Sequence, residues 1–105
     1  MQNMRYYFKA GQKDIILDED KATFEELGYE ILRAFNIYPS NMFEFEFDDG
    51  EFTTSADSPA ATDDDGQVAL SSRIKDKGLK PGDIFMFMYD YSNEWTRTVK
   101  LLKIE

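Results

Sequence analysis

The sequence contains no cysteine and no histidine, and it has no lysine or arginine between Arg33 and Arg73. The first absence removes disulfides, thiolate nucleophiles and zinc sites of the cysteine type. The second removes imidazole bases, Ser-His-Asp triads and histidine-ligated metals or haem. The third concentrates charge. The 105 residues carry 21 acids against 12 bases, a formal charge of −9. Nine of the acids fall in the base-free stretch: Glu44, Glu46, Asp48, Asp49, Glu51, Asp57, Asp63, Asp64 and Asp65. The remaining 12 acids balance the 12 bases, so the net charge belongs to one segment.

This balance argues against direct duplex nucleic-acid binding, which needs a basic footprint. No apolar run reaches signal-peptide length or the roughly 20 residues of a membrane span. A soluble cytoplasmic protein with no membrane association and no cofactor is the expectation. The length fits a single domain over residues 1–105. Nine Phe, six Tyr and one Trp supply ample core material.

Hydrophobic periods then divide the chain. Arg5 to Ala10 and Asp14 to Asp18 flank Gly11-Gln12-Lys13 and read as a hairpin. Thr23 with Glu26 three residues on forms a capping-box pattern. From there Phe24, Leu27, Gly28, Ile31, Leu32 and Phe35 recur at helical spacing, with Glu25, Glu26, Glu30 and Arg33 toward water. Gly28 on the apolar face of a helix implies close approach to a sheet, and Asn36 and Pro39 end the helix. Met42 to Asp48 alternates strictly, with Phe43, Phe45 and Phe47 opposite Glu44 and Glu46, as a half-buried strand does. Asp49-Gly50 predicts a tight turn into a short strand over Glu51 to Thr54. The small, polar, acidic stretch 55–67 reads as a mobile loop. A short helical turn is expected within Val68 to Lys77. Ile84 to Tyr91 is apolar on both faces and predicts a central strand covered on two sides, with Trp95 to Ile104 running back beside it. The order predicts a largely antiparallel α+β domain.

Several residues invite chemistry. An EF-hand centred on Gly66 would put Ala61 and Ser72 where the loop needs acids, so a dedicated calcium site is not expected. Asp90 follows Ile84, Met86 and Met88 on one strand face, where an unpaired carboxyl would have a raised pKa. At the end of a strand it can instead cap the Ser92-Asn93 turn. Glu44 and Glu46 lie about 6–7 Å apart along one strand face, a spacing compatible with paired-carboxylate hydrolysis but equally with a solvated face that discourages edge aggregation. Trp95 with Tyr89 and Tyr91 forms either an aromatic binding platform or the rim of the core.

The hairpin Lys80-Pro81-Gly82-Asp83-Ile84-Phe85, Met88 through Trp95, and the closing Leu101-Leu102-Lys103-Ile104 resembles the plasmid pRiA-type ORF-three-like family, whose members are also described as insertion-element passenger, TnpR-like proteins. The likeness extends to the opening hairpin, to Thr23-Phe24 with Leu27, and to Asn41-Met42-Phe43-Glu44-Phe45 at a strand start that carries histidines in the family. Here those histidines are Asn41 and Phe43, and the one after the tryptophan is Arg97. Imidazole chemistry imagined for those places cannot operate in this chain. The resemblance implies a compact α+β fold of β-grasp type, with a mixed, largely antiparallel sheet on one main helix, and no settled activity.

The candidate binding residues are therefore Asn41, Glu44, Tyr89, Asp90, Tyr91 and Trp95, with no catalytic or metal-ligating set. The leading expectation is a non-enzymatic interaction module that steers a basic protein partner through its acidic segment. The alternatives are a small-ligand or hydrolytic enzyme using Asp90 with Glu44 or Glu46, and an acidic mimic of nucleic acid.

Overall fold

In the computed structural model, residues 4–38, 43–50, 52–54, 67–69, 72–89 and 95–105 are described. Strand β1 (Arg5–Ala10) turns at Gly11, whose φ of +59° suits glycine, into β2 (Lys13–Asp18). After a 3-10 turn at Glu19–Lys21 comes α1 (Phe24–Ala34). Strands β3 (Phe43–Phe47), β4 (Phe52–Thr54) and β5 (Gln67–Ala69) follow, then α2 (Ile74–Lys77), β6 (Ile84–Tyr89) and β7 (Trp95–Ile104). The sheet order is β2-β1-β7-β6-β3-β4-β5, and the run from β2 to β3 is antiparallel throughout. The fold is α+β. Among the described residues no helix is long and apolar enough to cross a membrane.

Helix α1 forms for the reasons its spacing implies. Phe24, Leu27, Gly28, Ile31 and Leu32 are buried against the sheet, while Glu25, Glu26 and Arg33 face out. Thr23 Oγ1 accepts from the Glu26 amide at 3.1 Å. Only that half of the expected box is formed, because the Thr23 amide donates to the Lys21 carbonyl at 3.0 Å, in the preceding 3-10 turn. At the other end Asn36 takes the left-handed conformation, φ 59°. The Ile37 amide donates back to Leu32 and the Asn36 amide to Arg33, satisfying carbonyls the helix leaves open. Ile37 then packs on the core, so the stop signal and the first residue after it both anchor the helix end.

The core lies between α1 and one face of the sheet. Tyr6, Phe8, Ile15, Leu17, Phe43, Phe45, Phe47, Phe85, Phe87, Tyr89, Val99 and Leu101 all point to it. Strand β6 is central, between β3 and β7, as its apolar character implies. Its second face is not covered, however. Ile84 is 46% and Met86 36% exposed, and Met88 is half-buried. The expectation of two covered faces is corrected: those three residues give the strand its hydropathy but front solvent.

Two further differences concern the middle of the chain. The short helical turn expected within 68–77 is the four-residue α2, but a strand at Gln67–Ala69, parallel to β4, precedes it and was not expected. Ile74 of α2 is fully buried, and its amide donates to the Ala22 carbonyl at 2.8 Å, pinning α2 beside the start of α1. Gly50, φ +89°, makes the turn after Asp49. Beyond it Thr53 is buried and its hydroxyl accepts from the Phe45 amide at 2.8 Å, taking the place of a ladder bond between β3 and β4. Of the stretch 55–67 expected to be a mobile loop, residues 55–66 lie outside the described residues and Gln67 begins β5.

Tyr6 sits on the core face of β1, 5% exposed. Burial raises its phenol pKa above 10.0, with the nearby Glu19 and Asp76 carboxylates adding to the shift. In the unfolded chain the phenol ionises near the ordinary value of about 10, so ionisation favours unfolding. The stabilisation is fully present below about pH 10 and is lost as pH rises through the higher folded pKa. Urea midpoints measured from pH 8 to 11 should fall above pH 10, and less steeply in Tyr6→Phe. Identical alkaline profiles for the two proteins would remove Tyr6 from that account.

Candidate functional site

The alternation of β3 and β6 separates the expected binding residues by face. Phe43 pairs with Tyr89 and Tyr89 with Trp95 in the ladders, all on the core side. Glu44 pairs with Met88 and Glu46 with Met86, on the opposite, open side. Thus Tyr89 and Trp95 are brought together, whereas Glu44 stands across the sheet from both. Asn41, Asp90 and Tyr91 lie outside the described residues, and so does the acidic cluster Asp63-Asp64-Asp65.

The Tyr89–Trp95 cluster is the margin of the core. Trp95 meets Phe35, Phe87 and Tyr89 edge-on, at ring-centroid separations of 5.3, 6.0 and 6.3 Å. The Arg97 guanidinium covers its outer side at 4.1 Å and lies 5.1 Å from the Phe35 ring. Such cation–π contact at a half-buried ring is worth about 0.5–1 kcal/mol or more. Arg97 thus lies over both rings as a cationic lid. Tyr89 is buried, and its hydroxyl donates to the Tyr38 carbonyl at 3.0 Å, tying the segment after α1 to the sheet.

Two clefts flank this framework. Tyr29, Arg33, Asn36, Ile37 and Tyr38 line one of about 420 Å³ at the C-terminal end of α1. Arg33 there pairs with Glu30 at 2.8 Å, on the helix surface. The other, about 230 Å³, lies at the far end of the sheet between Phe47, Asp48, Asp49, Lys77 and Asp83. In it the Lys77 ammonium, its side chain only 10% exposed, meets Asp49 at 2.6 Å and sits 4.8 Å over the Phe47 ring. That pair fastens α2 to the β3–β4 turn. Among the described residues no group of three acids is placed to hold a metal ion.

The open face of the sheet is the surface that sequence reasoning missed. Across it run Lys9 on β1, Lys100 on β7, the Ile84-Met86-Met88 ridge on β6, and Glu44 with Glu46 on β3. Lys9 and Lys100 face each other in the β1–β7 ladder. The signal was available: strict alternation in β3 puts its glutamates on the face that the even-numbered residues of β6 share.

The model of the plasmid pRiA4b ORF-3-like protein family matches residues 13–105. Among curated proteins no relative matches the sequence. A crystal structure of a protein of unknown function from Methanosarcina mazei Go1 is similar in fold, with a TM-score of 0.73 at 18% identity. The likeness covers 99% of this chain and 62% of that one, so this chain spans less than two thirds of that protein's length.

Proposed function

Because the chain belongs to the plasmid pRiA4b ORF-3-like family, a premise that assigns no reaction, we propose from its geometry that it is a non-enzymatic, cytoplasmic protein-docking module. The docking surface is the open face of the sheet. One observation carries this reading: exposed Ile84 and Met86, with Met88, run directly beside Glu44 and Glu46 on an uncovered face. Contiguous exposed apolar surface with a charged border is the composition of an interaction site. Methionine side chains adapt to varied apolar partners. The two glutamates select a partner that sets basic side chains beside apolar ones, and they act mainly on the association rate. The acidic segment of the sequence, Glu44 to Asp65, adds charge of the same sign. The β-grasp likeness belongs to this proposal as well, supported by the opening hairpin β1–β2 followed by α1 packed on its face.

The reading is tested with a synthetic peptide that alternates Lys or Arg with Leu, titrated against the protein at about 0.15 M salt. Glu44→Lys with Glu46→Lys should slow association about tenfold. Met86→Asp should shorten the lifetime of the complex. Unchanged binding by both variants, each folded by circular dichroism, would take the open face out of the account.

A further inference from the structure

We infer that the free edge of β2 takes up an extended protein segment as an added strand, one that carries a basic, an apolar and a basic side chain at alternate positions. The inference goes beyond the open-face reading and does not depend on it. Strands β2 and β3 are four strand spacings, about 19 Å, apart.

Strand β2 ends the sheet, and the backbone bonds around it show which way each residue faces. Odd-numbered residues of β1 bond toward β7. Arg5 and Glu105 exchange both bonds, at 2.6 and 3.0 Å, and the Gly11 amide donates to Thr98 at 2.9 Å. Even-numbered residues of β1 therefore bond toward β2, and the Glu19 amide donating to Met4 at 2.8 Å continues that row. The pairing engages Lys13, Ile15 and Leu17 and leaves the N–H groups of Asp14, Ile16 and Asp18 pointing outward. The C=O groups of Asp14 and Ile16 point the same way. None of these groups has a partner among the described residues. Edge strands are ordinarily blunted by shortness, proline or a bulge. Here six residues pair with β1 in unbroken register and include no proline. The opposite edge, β5, has three residues.

Backbone direction and side-chain face alternate together along a strand, so the same three residues present their side chains on one face. Asp14, Ile16 and Asp18 are all exposed, Ile16 at 55%. An acid–apolar–acid row along an edge specifies its occupant. Antiparallel addition sets residues directly opposite one another. Basic side chains then fall beside Asp14 and Asp18, and an apolar one beside Ile16. That apolar residue extends a row already formed by Ile16 and Tyr7, neighbours in the β1–β2 ladder. Asp14 makes no ion pair among the described residues. Asp18 makes one, to Arg5 at 3.4 Å, with both side chains more than half exposed. Both carboxylates therefore remain open to a cation from the edge. A second copy does not fit. The self-pairing that uses all three outward-facing residues is centred on Ile16 and sets Asp14 of each copy against Asp18 of the other, acid on acid. The row thus rejects its own kind and admits a basic strand.

The test is amide hydrogen exchange of the isotope-labelled full chain, followed by NMR, with the end-blocked peptide Thr-Lys-Thr-Val-Thr-Lys-Thr as probe. In the free protein the Ile15 and Leu17 amides should exchange slowly and those of Asp14, Ile16 and Asp18 fast. Peptide at about 5 mM, in about 0.15 M salt, should slow the latter three at least about threefold. Contact through side chains alone would not produce that alternation. The same peptide with Glu in place of both Lys should leave the three rates unchanged. Asp14→Asn with Asp18→Asn should weaken binding of the Lys peptide about three- to tenfold. Both positions are exposed, and the Asp18 side chain makes no cap bond to the 3-10 turn. Slow Ile15 and Leu17 amides check that the variant is folded. No protection at the three amides, or equal protection by the Lys and Glu peptides, overturns the inference. Met86→Asp separates it from the open-face reading. Edge protection should persist in that variant, and its loss there, with the chain still folded, would place the peptide on the open face and overturn the edge site.

Discussion

Phe45→Ala is expected to remove about 3–5 kcal/mol of folding stability, the usual range for truncating a fully buried phenylalanine. Phe45 has no exposed surface, and its ring packs against Phe24 of α1 at 5.8 Å, Phe85 at 5.6 Å and Phe87 at 5.1 Å. It therefore bridges the helix and the two strands that carry the open face. Truncation leaves a cavity that cannot collapse without shifting α1, since the neighbouring rings are held by one another. Domains of this size are stable by only about 5–15 kcal/mol, and each kcal/mol moves the melting temperature by roughly 4–8 °C. The variant should melt at least about 12 °C lower on that scale, with a parallel loss in urea midpoint. Phe45→Leu, which refills part of the space, should lose much less. A loss below about 1 kcal/mol for alanine would mean that the aromatic layer is not packed as described.

The second large effect is expected from overfilling. Gly28 lies on the buried face of α1 directly against the edge of the Phe43 ring, which occupies the space any side chain at 28 would need. In an exposed helix Gly→Ala stabilises by about 1 kcal/mol. Here the added methyl collides with a ring that is itself held by Tyr29 at 5.3 Å and Phe87 at 5.5 Å. Overpacking of this kind destabilises by about 1–3 kcal/mol, so alanine should be neutral to harmful, and Gly28→Val should lose about 3 kcal/mol. The cause can be separated from helix propensity by a double-mutant cycle. Phe43→Leu, destabilising alone, should relieve part of the Gly28→Val penalty, giving a coupling of at least about 0.5 kcal/mol. Strict additivity would assign the loss to something other than the ring.

The elements most legible in the sequence are those in which one periodicity governs a whole face. Phe24, Leu27, Ile31 and Leu32 define α1, and the bounds of β1 and β7 agree with the strands as read from Arg5 to Ala10 and from Trp95 to Ile104. Gly28 was readable as a place of close approach because a mid-helix glycine on an apolar face has few other reasons to be there. Strand β5 was not readable. Its three residues are too few for alternation to register, and its parallel partner β4 is fixed by a long connection and not by a turn. The face of β6 misled for a different reason. Ile84, Met86 and Met88 look like core by composition, but whether a second layer covers them depends on the rest of the fold. Of the binding residues, Tyr89 and Trp95 were paired correctly because they share a face. Glu44 joined them through the strand start Asn41 to Phe45 and its spacing from Glu46, and the pleat sends it the other way.

The placement of β7 has a consequence for how the protein is made. It comes from residues 95–104, far along the chain from β1, yet lies in the middle of the antiparallel run, with β1 on one side and β6 on the other. Until residues 95–104 have left the ribosome, the sheet exists only as two unjoined pieces, the β1–β2 hairpin and the group around β3 and β6. Each would present an unpaired strand edge and buried aromatic side chains, Tyr6 and Phe8 on the first and six on β3 and β6, to solvent. Final assembly must wait for contacts between residues 5–10 and 99–104, the most distant in the chain, and such non-local closure makes folding slow. Unpaired edges and exposed apolar surface favour aggregation, so deletion of β7 should yield aggregates in place of a smaller folded protein.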